Sequence, residues 1–374
     1  MSEAKNTNKK IYFITGGGTG GHIYPAVAVA DKLSQDKNCK IYYVGNPKNM
    51  EFSIIKDKGY EFLPVMVKGM PRKIDFHFII WGCQLIFSIL QSLYYLLRYK
   101  PNAIFGTGGY VSAPTVIAAM LFTKTPYMLH DCDAQPGIVT IKTAPKAKAV
   151  NLAFESAKKY INNKNISVFG NPIRDEFKTI DKKSAKEILF LENKITVCIT
   201  GGSQGAQSIN NATIPILKKL SQNNIQVIFQ TGRKNFDKAV ADIAKIYPEY
   251  QEDENIIMEP YFDNMSTIIK ASDIIVSRSG SLSLSEICAS PAASILIPYP
   301  HAAADHQRKN AKFMQDKGAS IYLEDKDLNP ESLANRILAV ANDTLILEKL
   351  TNCAQKLSNL NACEDIVSKL KSIH

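Results

Sequence analysis

The sequence lacks several patterns that mark particular classes of protein. Its seven cysteines are scattered and none has C-x-x-C spacing, which disfavours both a disulfide framework and a structural zinc site. No recognisable nucleic-acid-binding motif occurs, and no stacking aromatic residues lie beside basic clusters. We therefore expect a reducing, cytosolic compartment, no bound metal or other cofactor, and no nucleic-acid partner.

A secretory signal is not expected either, because the N-terminal MSEAKNTNKK is followed only by a short apolar run that suits a first strand. Lysine and arginine outnumber aspartate and glutamate, and the formal net charge of +10 favours anionic partners such as phosphorylated substrates, acidic lipid surfaces or nucleic acid without choosing among them. A chain of 374 residues that is 45% hydrophobic can fill the cores of two domains.

Short apolar runs alternate with helical patterns along the whole chain, which predicts an α/β protein with doubly wound parallel sheets. In the first half the predicted strands are residues 11–15, 40–44, 60–67, 103–105, 127–130, 149–152 and 166–169. In the second half they are residues 195–200, 226–230, 256–259, 274–277, 294–297 and 321–323. The turn-rich GNPIR at residues 170–174 suits a hinge. We predict Rossmann-like domains at residues 1–172 and 173–345, and a helical tail at 346–374 that packs back on the first domain.

A glycine-rich turn joins the first predicted strand to a helix, in the sequence IYFITGGGTGGHIYP at residues 11–25. Free N–H groups and the helix dipole at such a turn favour an anionic or strongly polar ligand. The glycines formally match the dinucleotide fingerprint G-x-G-x-x-G, but a nicotinamide site also needs a carboxylate after the second strand. Gly45 and Asn46 stand there instead, so an oxidoreductase is disfavoured.

The second half repeats this architecture, with GGSQGA at residues 201–206 after a strand and RSGSLSLSE at residues 278–286 opening a helix. Hydroxyl and N–H groups there could hold a diphosphate, and Glu286 could accept hydrogen bonds from a ribose diol or simply complement the helix dipole. Because open sheets bind ligands at the carboxyl ends of their strands, we expect the two domains to face one another across a cleft.

Residues 78–97 form a run of twenty residues without a charge, long enough for a membrane span. Gln84, Ser88, Gln91 and Ser92 form a polar stripe on this helix, which could meet water or polar protein. Lys68, Arg72 and Lys73 precede the run, and Ile74, Phe76, Phe78, Ile79 and Trp81 alternate with or follow them. Three interpretations stay open: peripheral contact with an anionic bilayer, an ordinary core helix, and a true span.

The motifs GGGTGGHIYPA, FGTGGYVSAP, GNPIR, GGSQGAQSIN, RSGSLSLSE and DHQRKNA follow one another over about residues 10–345. In order and spacing they resemble the MurG family of peptidoglycan synthesis. The resemblance implies a GT-B fold and an inverting transfer of N-acetylglucosamine from UDP-N-acetylglucosamine to lipid I, giving lipid II, by a peripheral enzyme on the cytoplasmic face of the cell (inner) membrane. It implies substrate contacts from Thr19, Gly20, Gly21, Arg174, Ser203, Phe262 through its backbone, Ser281, Leu282, Ser283, Leu284, Ser285, Glu286 and Gln307. The family's membrane-facing patch falls on residues 68–87.

The chain departs from the family pattern at a few positions. Where the family reads His-Glu-x-Asn, this chain has His130-Asp131-Cys132-Asp133, so Asp133 replaces a sugar-contacting amide by a carboxylate that only accepts hydrogen bonds. Its Asp-x-Asp pattern alone is too little for a metal site. Pro291 and Ala293 stand where the family usually has glycine and proline.

An inverting transfer needs a base to take the proton from the attacking sugar hydroxyl. The sequence offers His22 and, less directly, Asp131. A UDP-N-acetylglucosamine 2-epimerase and a related lipid glycosyltransferase on the same fold stay as alternatives, since both would use a similar donor site.

Overall fold

The structure is a computed structural model that describes residues 9–71, 73, 75–202 and 204–374. The chain forms two compact units, one comprising Met1–Ile173 with Asn361–His374 and the other Arg174–Leu360. Each unit is built on a parallel sheet. Alternate side chains of a strand enter cores on opposite faces of the sheet, as Ile14 and Phe13 do in the first unit. Both faces are therefore buried, as the apolar runs predict.

The first unit has a seven-stranded sheet in the order β3-β2-β1-β4-β5-β6-β7. Its strands are β1 (Lys10–Thr15), β2 (Cys39–Gly45), β3 (Glu61–Pro64), β4 (Ala103–Gly106), β5 (Tyr127–Asp131), β6 (Ala149–Leu152) and β7 (Ile166–Ser167). Its helices up to the linker are α1 (Gly20–Ser34), α2 (Met50–Asp57), α3 (Phe76–Tyr99), α4 (Gly109–Phe122) and α5 (Ile138–Thr143).

The second unit has a six-stranded sheet in the order β10-β9-β8-β11-β12-β13. Its strands are β8 (Thr196–Thr200), β9 (Gln226–Gln230), β10 (Ile256–Glu259), β11 (Ile274–Ser277), β12 (Ala293–Leu296) and β13 (Ile321–Tyr322). Its helices are α6 (Glu176–Thr179), α7 (Lys182–Ile188), α8 (Gln207–Thr213), α9 (Leu217–Gln222), α10 (Phe236–Ile246), α11 (Met265–Ala271), α12 (Ser281–Cys288), α13 (His306–Asp316), α14 (Pro330–Ala341) and α15 (Thr344–Gln355).

The strand order reverses once in each sheet, between β1 and β4 and between β8 and β11. Such switch points open a crevice at the carboxyl ends of the strands, where ligands of doubly wound sheets bind. The two glycine motifs of the first unit follow β1 and β4, and GGSQG and RSGS of the second follow β8 and β11. The topology therefore brings the motifs together in pairs.

Edge strands are shorter than the sequence predicts. β3 spans four residues of the predicted 60–67, and β7 spans two of the predicted 166–169. Both lie at the ends of the sheet order, where a strand has a ladder partner on one side only. Val65 and Val67 are still buried, so their apolar character reflects packing beyond the end of the strand.

The tail is divided between the units. Asn329 caps α14 through a capping box, with Pro330 as the first helical residue, as its sequence indicates. α15 belongs to the second unit, whereas the final helix α16 (Ala362–Ser372) belongs to the first. Ile366 and Leu370 are fully buried in the first unit's core, so only the last part of residues 346–374 returns there.

Helix α3 packs on the protein with a mixed side, on which Leu85, Ile89 and Leu93 are partly buried against the core, and it has apolar side chains on its outward side as well. Its buried residues are Ser88, Ser92 and Leu96, and the Ser92 hydroxyl lies 3.3 Å from that of Thr115 on α4. Its outward side chains are apolar: Phe76, Ile79, Ile80, Ile86, Phe87, Leu90, Tyr94 and Leu97 are all at least 41% exposed. The polar stripe thus packs on protein.

α3 is the one helix in the described ranges that is long and apolar enough to cross a membrane, and only 11% of its most apolar 18-residue stretch is buried. The interpretation of α3 as an ordinary core helix is therefore wrong. Both ends of α3 lead to strands of one sheet, as a crossover helix requires. Arg72 and Ile74 lie outside the described residues.

Candidate active site

The glycine-rich turn after β1 has no room for side chains. A Cβ atom on Gly16 would lie 1.8 Å from the Thr107 hydroxyl oxygen, and one on Gly17 would lie 2.6 Å from Glu51 Cδ. Gly18 has a φ of +85°, and a Cβ there would lie 2.6 Å from the Tyr110 ring. These glycines are needed for close packing and for backbone conformation.

The polar groups of this turn are partly engaged by the protein itself. The Gly18 N–H donates to Glu51 Oε2 at 3.3 Å, and the Tyr43 hydroxyl donates to the Gly16 carbonyl at 2.6 Å. Glu51 is fully buried on α2. The expectation that the N–H groups of the turn are open to an anion is thus wrong at Gly18, because a carboxylate of the chain accepts that N–H. Thr19, Gly20 and Gly21 follow as the N-cap and first residues of α1.

His22 is half-buried in the first turn of α1. Its Nδ1 lies 2.8 Å from the Thr107 carbonyl oxygen, and the Thr107 hydroxyl donates to the His22 carbonyl at 2.6 Å. A carbonyl can only accept, so in the neutral ring the proton is on Nδ1 and Nε2 carries the lone pair. A Cβ on Gly109 would lie 2.8 Å from His22 Cδ2, so the ring packs closely on this glycine. The orientation of the ring and its tautomer are both set.

Asp131 ends β5 and is 2% exposed. Its Oδ2 accepts the Gly137 N–H at 2.9 Å, and its Oδ1 accepts the Asp133 N–H at 3.3 Å. Burial raises the pKa of Asp131 to about 7. Asp133 is half-buried, and between the two aspartates the buried Cys132 places its Sγ 4.0 Å from His22 Nδ1. The carboxylate of Asp131 thus organises the loop that reaches His22.

A buried amide–imidazole network lies behind this loop, and sequence reasoning missed it. His130, Asn151 and Asn171 are at most 2% exposed. Asn151 donates to His130 Nδ1 at 2.8 Å, and His130 Nε2 donates to Asn171 Oδ1 at 3.0 Å. Burial lowers the pKa of His130 to about 4, so the ring is neutral at pH 7. The network ties the GNPIR segment to the ends of β5 and β6.

In the second unit, Arg174 and Glu286 form an ion pair. Arg174 Nε and Nη2 each lie 2.9 Å from Glu286 Oε1. The Glu286 side chain is 19% exposed and that of Arg174 is 40% exposed. Burial raises the pKa of the Glu286 carboxyl, and the Arg174 charge opposes this shift. Two predicted donor-binding residues thus lie together at the start of the unit and on α12.

The other predicted residues of α12 differ in position. Leu284 is 1% exposed and Ser281 is 5% exposed, while Leu282 is half-buried and Ser283 is exposed. The Ser285 hydroxyl donates to the Ser281 carbonyl at 3.1 Å. The Leu284 side chain therefore packs in the protein interior, and only its backbone could contribute to a site.

Gln230, which sequence reasoning missed, connects three loops at the carboxyl edge of the second sheet. It is 2% exposed, and its Oε1 accepts the Phe262 N–H at 2.9 Å. Its Nε2 donates at 3.1 Å to both the Thr200 hydroxyl and the Gly202 carbonyl. Any backbone contact from Phe262 to a ligand that leaves this bond intact would thus use the Phe262 carbonyl. Ser203 lies outside the described residues.

Gln307 lies in the first turn of α13, where its Oε1 accepts the Tyr299 N–H at 3.0 Å. Its carbonyl accepts the Ser279 hydroxyl at 2.8 Å, which joins α13 to the RSGS loop. Arg278 of that loop contacts Asp325 at 2.5 Å. The sequence does not predict this ion pair, because Asp325 lies far from Arg278 along the chain, just after β13.

Within residues 9–71, 73, 75–202 and 204–374, no group of three or more His, Cys, Asp or Glu side chains is arranged to hold a metal ion. Pro291 directly precedes β12, and Ala293 begins it at 1% exposure. Both departures thus lie at the amino end of a parallel strand, the opposite end from the RSGS loop.

Comparison with known families identifies two domains. The glycosyltransferase family 28 N-terminal domain matches residues 12–152, and the glycosyltransferase family 28 C-terminal domain matches residues 196–369. Two relatives bear the name UDP-N-acetylglucosamine–N-acetylmuramyl-(pentapeptide) pyrophosphoryl-undecaprenol N-acetylglucosamine transferase. The one from Thermoanaerobacter sp. is 36% identical over 97% of this chain and 99% of its own length. The one from Finegoldia magna is 36% identical over 96% of each chain.

Solved structures show the same fold. MurG of Acinetobacter baumannii superposes with a TM-score of 0.77 at 23% identity, covering 97% of this chain and 99% of its own. A UDP-N-acetylglucosamine 2-epimerase from Neisseria meningitidis superposes with a TM-score of 0.67 at 14% identity, covering 97% and 99%. The two parallel-sheet units are those of the GT-B fold, as the resemblance implies. With relatives 36% identical over almost the whole chain and both family 28 domains present, the chain belongs to the MurG family of glycosyltransferases.

Proposed function

We propose that this enzyme transfers N-acetylglucosamine from UDP-N-acetylglucosamine to the muramyl sugar of lipid I and so forms lipid II for peptidoglycan synthesis. The observation that carries the proposal is the extent of the similarity, since relatives named for this reaction match 96–97% of the chain at 36% identity. The epimerase shares only the fold, at 14% identity, and so does not favour the alternative reaction.

We assign the base to His22. Its Nδ1 lies 2.8 Å from the Thr107 carbonyl oxygen, so in the neutral ring the lone pair is on Nε2, and this is the atom that would accept a proton from the attacking hydroxyl of the acceptor. The hydroxyl oxygen then forms a bond to the anomeric carbon of the donor sugar. The bond from that carbon to the UDP oxygen breaks, and UDP leaves with the electron pair, so the anomeric configuration inverts.

Asp131 is assigned a positioning role in place of the alternative role of base. Both of its oxygens accept backbone N–H groups of its own loop, and it is 2% exposed. At this exposure the carboxylate is almost closed to an acceptor hydroxyl. The half-buried Asp133 in the same loop is the member of the pair that we assign to substrate contact.

We assign donor binding chiefly to the second unit, with Glu286 accepting from the ribose and Arg174 orienting that carboxylate. The hydroxyls and N–H groups that begin α12 from Ser281 onwards would stabilise the departing diphosphate without a metal. Phe262 would contact uracil through its carbonyl, and Gln307 would contact the sugar. Thr19, Gly20 and Gly21 are assigned to the donor on the resemblance alone, as is Ser203.

We place the protein peripherally on the cytoplasmic face of the cell membrane, with the outward face of α3 on the bilayer. The support is the outward side of α3, whose exposed apolar side chains would meet lipid while Ser88 and Ser92 face the protein. The exposed Lys68 and Lys73 precede this helix and suit anionic lipid headgroups.

One assay tests the proposed function. The protein is incubated with labelled UDP-N-acetylglucosamine, with and without a short-chain lipid I analogue. We expect label in the lipid product only when the analogue is present, together with UDP release. Conversion of the donor to a 2-epimer without acceptor would instead show an epimerase, and an unchanged donor in both reactions would show neither activity.

A further inference from the structure

Glu51 is a buried carboxylate to which the proposed reaction assigns no role. It is fully buried in the first turn of α2. Within the described ranges it forms no ion pair with a lysine, arginine or histidine. A buried charge is costly unless hydrogen bonds replace its hydration, so the partners of Glu51 indicate what it holds in place.

Three N–H donors surround this carboxylate. Oε2 accepts the Gly18 N–H at 3.3 Å, while Oε1 accepts the Asn46 N–H at 3.2 Å and the Asn49 side-chain amide at 3.1 Å. Asn49 also donates to the Tyr110 hydroxyl at 2.9 Å, and the Tyr110 ring lies against Gly18. Glu51 and Tyr110 therefore enclose the middle of the glycine-rich turn, with Asn49 linking them.

The turn needs such support because glycine has the widest choice of backbone conformation. Gly18 is in the left-handed region at φ +85°, and His22 follows four residues later. Misplacing a catalytic group by about 1 Å can lower a rate roughly 100-fold. A fixed Gly18 thus sets where α1 begins, and with it the position of the His22 ring relative to the acceptor hydroxyl.

We propose that Glu51 is a positioning residue of the transfer reaction, which holds Gly18 so that His22 Nε2 meets the acceptor hydroxyl. This inference rests on the proposed function of the site. A role in stability alone would lower the amount of folded protein and leave the turnover of each folded molecule unchanged. A positioning role changes that turnover.

The test compares Glu51→Gln with wild type in the full chain, using labelled UDP-N-acetylglucosamine and the lipid I analogue. All three partners of Glu51 are donors, so the amide NH2 of glutamine would face at least one of them. We expect kcat per UDP-binding site to fall about 10- to 100-fold while UDP affinity by calorimetry changes less than about threefold. Asn49→Ala, which removes one of the three donors, should give a smaller loss of kcat.

Glu61→Gln is the matched control, because Glu61 makes an exposed ion pair with Lys40 in the same unit, and it should leave kcat unchanged. If Glu51→Gln binds UDP normally and turns over at the wild-type rate, the positioning role is wrong. If Glu51→Gln does not fold, wild-type turnover in Asn49→Ala has the same consequence. A wild-type protein that transfers no label to lipid would overturn the proposed function instead.

Discussion

Replacing Glu286 by alanine should weaken the use of the donor substrate. In the proposed complex its carboxylate accepts hydrogen bonds from the ribose hydroxyls, and hydrogen bonds to a charged group contribute about 1.5–3 kcal/mol. This corresponds to a rise of about 10- to 150-fold in the donor KM. The Glu286 side chain is 19% exposed, so solvent does little to screen the loss. Arg174, at 40% exposure, can be solvated by water once its partner is gone.

The measurement is the initial rate of transfer against donor concentration, at a saturating concentration of the lipid I analogue, together with calorimetric binding of UDP. Glu187→Ala is the matched control, since this carboxylate is exposed on α7 of the same unit and pairs only loosely with Lys183 at 3.9 Å. A donor KM within twofold of wild type in a folded Glu286→Ala protein would refute the assignment of Glu286.

A companion variant, Arg174→Met, removes the guanidinium that pairs with Glu286. Burial raises the pKa of Glu286 and Arg174 opposes the shift, so removing Arg174 should raise that pKa further. A protonated carboxyl accepts fewer hydrogen bonds. UDP affinity of this variant should therefore fall more steeply than that of wild type as the pH is lowered. Parallel pH profiles would show that Arg174 does not control the ionisation of Glu286.

Three further predictions follow from the first unit. His22→Ala should lower kcat by ~10²–10⁴ with nearly unchanged UDP affinity by calorimetry, and near-normal turnover would move the base to another group. Burial raises the pKa of Asp131 from 3.8 to about 7, so the stabilising contribution of its protonated form is full below about pH 4 and is lost as the pH rises through 7. In urea titrations, the unfolding free energy of wild type should therefore fall by about 2 kcal/mol relative to that of Asp131→Asn between pH 5 and 7.5. A difference between the two proteins that does not depend on pH would contradict this. Phe87→Ser with Leu90→Ser should weaken binding to anionic vesicles about tenfold or more, while Phe190→Ser, which removes a 95% exposed ring from the second unit, should have no effect; equal losses would exclude α3 as the contact.

Membership of the MurG family and the two-sheet fold could be predicted from the sequence because both depend on local patterns. Runs such as residues 11–15 and 195–200 consist of apolar or β-branched residues, which is typical of strands buried on both faces. Glycine motifs directly after them fall at the carboxyl ends of parallel strands whatever the packing details. Asn329 and Pro330 likewise specify the start of α14 within a few residues of chain.

The tertiary structure decided which groups meet across long separations in the chain. Glu51 reaches Gly18 and Gln230 reaches Phe262, and neither contact leaves a periodic signal, because one buried polar side chain looks like any surface residue in a sequence. The sequence also left undecided which side of α3 faces the protein. Its polar stripe could face water or protein, and in the structure Ser92 packs against Thr115 on α4, so the stripe lies on the inward side and an apolar side is exposed. Hydrophobic periodicity fixes that a helix has two faces, whereas only the neighbour packed against it fixes which face is buried.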